Sequence, residues 1–370
     1  MRIVFTIDSL AQGGTEQSIL ELIKNFSEDT EVFVIYFYPR HDLLKAFEQT
    51  KCKIHFLDLK GRYNWLSGIQ KLKIAVKKIK PDLVIASLYR SNIISRITCL
   101  MLRIKLIGTF VEDNYGIERK KTFKGIKGKL KFYPTLILDT ITSFIPFAWI
   151  SNCIVIGKNH VKHLGISEKK VHVIYRGRDS KEIHEWIPPL SNNFSFVTIG
   201  RLYEKKGFTE LVAAFSILEK IHPNISLIIY GEGPQRKDLE NQINILQLQK
   251  KVILPGNTPK AYMKLYDANC FVFPSRFEGF SGALVEAMMA GIPIICSDIP
   301  MNREAVDHET TALVHKLKDT DDLFKKMILM IEKYPEMIEM GKRAREKALM
   351  LFEIKEIAKK YEQLLIKLND

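Results

Sequence analysis

Trp186-Ile-Pro-Pro-Leu-Ser-Asn-Asn193 interrupts a chain that otherwise alternates short apolar runs with amphipathic helical stretches from end to end. Two adjacent prolines, each lacking an amide hydrogen and fixed in φ, followed by Ser-Asn-Asn, mark a linker. Before it, strand-like runs fall at residues 2–7, 32–38, 53–57, 83–86, 105–111, 152–156 and 171–174, with helical patterns such as 15–26 and 65–80 between them. After it come 194–199, 226–230, 252–254, 270–273 and 292–296. Strands alternating with helices predict parallel sheets covered on both faces. Two such series about one linker predict an α/β protein of two Rossmann-like domains facing a cleft, residues 1–187 and 188–352. The tail, 353–370, carries an apolar stripe of Ile354, Ile357, Ala358, Tyr361, Leu364, Leu365 and Leu368. A stripe of that width needs a surface to cover, and the tail is expected to cross back to the first domain.

A length of 370 residues suits two domains of ordinary size, and 46% hydrophobic with 26% charged residues is a globular composition. Cys52, Cys99, Cys153, Cys270 and Cys296 are odd in number, scattered and mostly in apolar runs, which predicts free thiols in a reducing cytoplasm. The chain opens directly on a strand-like run, with no leader pattern expected ahead of it. Residues 135–156 are apolar enough to suggest a membrane span. Asp139, Pro146, Ser151 and Asn152 interrupt them, however, so a helix followed by a buried strand at 152–156 is expected.

The net charge of +14 is unevenly placed. Residues 1–187 hold 31 Lys and Arg against 18 Asp and Glu, whereas residues 188–370 hold 25 against 24. The densest stretch is Arg119-Lys-Lys-Thr-Phe-Lys-Gly-Ile-Lys-Gly-Lys-Leu-Lys-Phe-Tyr133, where six lysines interleave with Phe123, Ile126, Leu130 and Phe132. Nucleic acid, an anionic membrane leaflet, or water around a charged helix each fits such a surface.

Ligands of parallel sheets sit beyond the strands' carboxyl ends, so the residues just after each strand are the candidates. The first strand runs into Gly13-Gly14-Thr-Glu16 at the start of a helix, where glycine lets backbone approach a ligand. The spacing is not Gly-x-Gly-x-x-Gly, which disfavours a nicotinamide dinucleotide. The first strand of the second series ends in Gly200-Arg-Leu-Tyr-Glu-Lys-Lys-Gly207, placing Arg201 and Lys206 on a strand–loop–helix junction without a Walker A pattern. Two cations there suit a diphosphate whose charge no metal offsets. Gly231-Glu-Gly-Pro234 is a further tight turn, and Asn257 and Thr258 follow the next strand, placed to meet a nucleobase.

After Cys270-Phe-Val-Phe-Pro274 comes Glu278-Gly-Phe-Ser-Gly-Ala-Leu-Val-Glu286. Phe280, Ser281 and Gly282 form a helix entrance whose unpaired amides attract phosphate. Glu278 and Glu286 offer carboxylates to polyhydroxy groups, and the combination suits a sugar nucleotide. The alternative is that both glutamates merely complement the helix dipole. Asp319-Thr-Asp321 has the form of a metal-binding pair, but its position opening a helix favours a cap.

In this order, the motifs at 13–16, 200–207, 231–234 and 278–288 resemble those of the group-1 retaining glycosyltransferases with the GT-B fold, and the resemblance spans nearly the whole chain. It implies that Arg201 and Lys206 hold a donor diphosphate with the amides of Phe280–Gly282. Glu278 would contact the transferred sugar and Glu286 the ribose. It also implies retention of configuration, no metal or other cofactor, and a leaving diphosphate that helps accept the acceptor's proton. The donor expected is a UDP-hexose. The acceptor expected is a lipid-linked glycan or other cell-surface polysaccharide precursor, met at the inner face of the cell membrane through the basic first domain.

Three positions depart from common members. The loop after the fifth strand, Val111-Glu-Asp-Asn-Tyr115, has no histidine, which leaves Asp113 or Glu112 to orient the acceptor. Gly157 stands for a frequent serine, and Arg176 for a usual asparagine. None of the nine histidines falls on a motif, and solvated or capping roles are expected for them. A sugar-nucleotide epimerase or a non-catalytic sugar-nucleotide binder is the alternative in a different class. A nucleic-acid-binding protein would account for the basic half but not for the glutamates.

Overall fold

The computed structural model describes residues 1–61 and 64–370. The first unit comprises Met1–Gly177 and Ile354–Asp370. Its strands are β1 (Arg2–Ile7), β2 (Glu31–Tyr36), β3 (Lys53–Phe56), β4 (Leu83–Ala86), β5 (Lys105–Phe110), β6 (Ala148–Ser151) and β7 (Val171–Val173). They form one parallel sheet in the order β3-β2-β1-β4-β5-β6-β7. The second unit, Arg178–Glu353, holds β8 (Phe194–Ile199), β9 (Ile225–Tyr230), β10 (Val252–Gly256), β11 (Cys270–Phe273), β12 (Ile294–Ser297) and β13 (Leu313–His315). These pair in parallel as β10-β9-β8-β11-β12-β13. In both sheets the order reverses beside the unit's first strand, where a crevice opens at the carboxyl edge. The central strands are buried on both faces, so Leu83–Ala86 and Cys270–Phe273 read as unbroken apolar runs.

The chain changes unit at Gly177/Arg178 and Glu353/Ile354, not at the double proline. Ile183 and Trp186 are buried in the second unit. Trp186 donates its backbone amide to the Ala290 carbonyl at 2.7 Å and its indole to that of Ala268 at 2.9 Å, which fastens residues 178–187 there. The tail forms a helix, Ile354–Asn369, whose Ile354, Ile357, Ala358, Tyr361 and Leu365 enter the core around β1 and β2 of the first unit. Ser27 and Thr30 donate to its Glu362 carboxylate.

The strand expected at 152–156 is displaced. β6 lies at Ala148–Ser151, and Ile154–Leu164 is a helix, with Ile156, Gly157, His160 and Leu164 buried at helical spacing. Gly157 therefore sits inside that helix. His160 is buried rather than solvated, its ring 4.1 Å from that of Phe110, and burial pushes its pKa down. Asp319 caps the helix Thr320–Glu332 by accepting from the Asp322 amide at 2.9 Å. Among the described residues, no helix is long and apolar enough to cross a membrane.

Candidate active site

In the second unit the site is assembled from the carboxyl ends of β8 and β11. Gly200 leaves β8, Glu204–Lys206 makes one turn of 3-10 helix, and Gly207 follows with φ at +70°. A side chain on Gly207 would stand 2.2 Å from the Pro274 carbonyl, so only glycine lets the turn close against the end of β11. Arg276 locks the two segments together. Its amide donates to the Lys205 carbonyl at 2.7 Å, and its guanidinium donates to Glu204 at 2.7 Å and to Glu210 at 2.6 and 2.9 Å.

This lock brings Lys206 to Glu278. The Nζ–Oε1 distance is 2.6 Å and the two side chains are only 13% and 12% exposed. The ammonium also lies 5.2 Å from the centroid of Phe273, a cation–π contact on the last residue of β11. Glu278 precedes the helix Gly282–Ala290, whose N-cap Ser281 accepts from the Leu284 amide at 3.4 Å. Phe280 contributes only backbone at this entrance, because its ring is buried against Phe352 with centroids 5.2 Å apart. Arg201 is exposed, with its guanidinium 5.4 Å from the Tyr203 ring. Asn257 is exposed in the loop after β10.

Glu286, one turn into the same helix, is held by a residue the sequence reading left out of the site. Arg178, itself buried, donates from Nε to Glu286 Oε1 at 2.6 Å. Nearby Tyr262 donates to Glu182 at 3.2 Å, and its phenol is pushed up to about 12 by burial and by the Glu182 and Glu286 carboxylates. The Arg178–Glu286 pair joins positions 108 residues apart, so no local pattern announces it. The only sequence signal is the arginine beside Gly177 in Tyr175-Arg-Gly-Arg-Asp179.

The first unit has its own recess at the carboxyl edge of its sheet. Gly13 caps the helix Gly14–Lys24, and a side chain on Gly14 would meet the Arg176 guanidinium at 3.0 Å. Arg176, Thr15, Ser18, Ser87, Thr109 and Asn152 are the polar residues lining an otherwise apolar cavity of about 60 Å³. Asp8, at the end of β1, accepts from the Ser91 amide at 2.7 Å, and burial raises its pKa against that hydrogen bond. Asp113 is buried and accepts from Asn159 Nδ2 at 3.3 Å, whereas Glu112 lines a separate recess with Asn92, Asn114, Arg119 and His160.

Residues 12–182 match the family model described as Glycosyltransferase Family 4, and residues 179–347 match that described as Glycosyl transferases group 1. An uncharacterized glycosyltransferase of Methanocaldococcus jannaschii is 38% identical over 107 residues, a match covering 29% of this chain and 26% of that protein. The N-acetylgalactosamine-N,N'-diacetylbacillosaminyl-diphospho-undecaprenol 4-alpha-N-acetylgalactosaminyltransferase of Campylobacter jejuni is 26% identical over 346 residues, 88% of this chain and 89% of that one. Among solved structures, Anabaena HepE in complex with UDP-glucose superposes with a TM-score of 0.84 at 19% identity, over 99% of this chain and 100% of that one. That likeness is one of fold, GT-B.

Proposed function

The chain belongs to the group 1 glycosyltransferases, and from that premise we propose a retaining, metal-independent transfer of a hexose from a UDP-sugar to a lipid-linked glycan or other cell-surface polysaccharide precursor. The observation that carries the reading is the Lys206–Glu278 pair at the end of β11. It holds a cation where a diphosphate leaves and a carboxylate where sugar hydroxyls lie. On donor binding, Lys206 exchanges Glu278 for the diphosphate, and Glu278 turns to the hydroxyls of the transferred sugar. The bond from the anomeric carbon to the diphosphate oxygen breaks, and the growing negative charge is met by Lys206, Arg201 and the amides at Phe280–Gly282. The acceptor hydroxyl bonds to that carbon on the face the diphosphate leaves, and its proton passes to the departing oxygen. Glu286, oriented by Arg178, takes the ribose hydroxyls, and the backbone at Asn257 meets the base. In the first unit, Gly13 and Gly14 bring backbone to the donor, and Arg176 lines the acceptor side with Glu112 and Asp113 in the loop after β5. The undecaprenol-linked substrate named for the C. jejuni relative supports a lipid-linked acceptor, met at the cytoplasmic face of the membrane.

Nucleotide release from a panel of UDP-, GDP- and ADP-hexoses, with and without a lipid extract as acceptor, tests the reading. Release of UDP that depends on the extract is expected. No release from any donor would exclude transferase activity, and release of GDP or ADP alone would reassign the base.

Glu286→Ala is expected to raise KM for the donor about ten- to hundred-fold with kcat little changed, because the ribose contact is the same in ground and transition states. Steady-state kinetics checks this. A fall in kcat at constant donor affinity would remove Glu286 from the ribose.

A further inference from the structure

We propose that the helix Gly125–Thr142 and the turn after it form an interfacial anchor that inserts its outer face into an anionic bilayer. The proposal deepens the lipid-linked reading. Ile126, Leu130, Tyr133, Ile137, Ile141 and Phe144 are between 53% and 79% exposed. At about 100° per residue the five within the helix fall in an arc of roughly 80°, one ridge along it, and Phe144 follows in the turn. Phe132, Asp139 and Thr142 occupy the opposite, buried face. The basic run therefore carries a row of large apolar side chains turned to solvent.

Charge selects the occupant. Residues 119–144 hold seven basic side chains and one acidic one, Asp139, which is buried in an ion pair. Lys127 and Lys129 flank the ridge on either side, and Lys120, Lys121, Lys124 and Lys131 are exposed close by. An apolar ridge between lysines matches the layered chemistry of a leaflet, with acyl chains under the ridge and lipid phosphates at its borders. Nucleic acid would use the lysines and leave the ridge in water. A groove of about 530 Å³ also opens beside Leu130 and Lys131, lined by Tyr89, Tyr115, Phe123 and Arg119. It lies against the surface from which a lipid-borne acceptor would arrive.

Flotation of the full chain with vesicles of phosphatidylglycerol and phosphatidylcholine, or phosphatidylcholine alone, at low and high salt reads the proposal. The wild type is expected on the anionic vesicles, weakening but not vanishing as salt rises. Changing Lys124, Lys127, Lys129 and Lys131 to Gln should lower partition about five-fold per lysine at low salt. The set Ile126→Ser, Leu130→Ser, Ile137→Ser and Phe144→Ser should lower it at least about ten-fold at both salts, since acyl-chain contact is not screened. All eight positions are exposed, and circular dichroism with donor binding verifies folding. An indole introduced by Ile137→Trp should shift its emission to the blue and become shielded from iodide on anionic vesicles. Equal partition of the serine variant and wild type, or an indole that stays in water, would overturn the insertion. So would self-association of the wild type that the serine variant loses, which would assign the ridge to a second copy. The vesicles contain neither donor nor acceptor, so failure here leaves sugar transfer standing. Intact partition without transfer would leave the anchor standing instead.

Discussion

Lys206→Ala is expected to lower kcat by about 10²–10³ with the enzyme still folded, the scale for losing one preorganised electrostatic partner of a leaving group. The argument rests on placement. The ammonium is mostly shielded from water, fixed by a turn that Gly207 and Arg276 hold against β11, and paired with Glu278 at 2.6 Å. Charge on the diphosphate grows only as the glycosidic bond breaks, so the loss should fall mainly on kcat and little on KM. Lys206→Arg should recover only part of the rate because its planar fork differs from a compact ammonium. Single-turnover kinetics at saturating donor separates the two parameters. Unchanged turnover in a folded Lys206→Ala enzyme would remove Lys206 from the reaction.

Asp139→Ala is expected to destabilise the first unit by about 3–5 kcal/mol, the cost of stranding a buried charge. Arg96 is 2% exposed. It donates to Asp139 at 2.6 Å, Thr142 at 2.8 Å and Asn92 at 3.0 Å, with its guanidinium 4.7 Å from the Trp149 ring. Tyr115 donates to the second Asp139 oxygen, and burial beside that carboxylate pushes its phenol far above the usual range. This network pins the helix Gly125–Thr142 to the helix Tyr89–Leu102. Replacing both partners by apolar residues, Arg96→Met with Asp139→Leu, should cost far less than the single change. Hydrogen exchange of amides in the first unit checks this. Protection as strong in Asp139→Ala as in the wild type would contradict it.

What the sequence announces here is what local backbone chemistry demands. The parallel sheets follow from apolar runs of strand length between helical patterns, and the Lys206–Glu278 region from glycines that close turns at strand ends. Ile154-Val-Ile156 misleads because β-branched residues favour strands. Only the longer spacing of Ile156, His160 and Leu164 betrays the helix, and the stacking of His160 on Phe110 fixes it. The three residues of β13 are too few to register as a pattern. Arg178 escapes because its partner lies far along the chain, and the unit boundary is misplaced because burial of Trp186 outweighs the prolines beside it. The basic run shows its charge openly. That Phe132 turns inward while Ile126 and Leu130 face water is decided by packing on the first unit.

The configuration of the new glycosidic bond tests the central claim most directly. With an α-linked UDP-hexose as donor, the anomeric proton of the purified product is read by its NMR coupling to the proton on the neighbouring carbon. Retention, an α-linked product formed without added metal, is the predicted result. A β-linked product would contradict the proposed same-face attack.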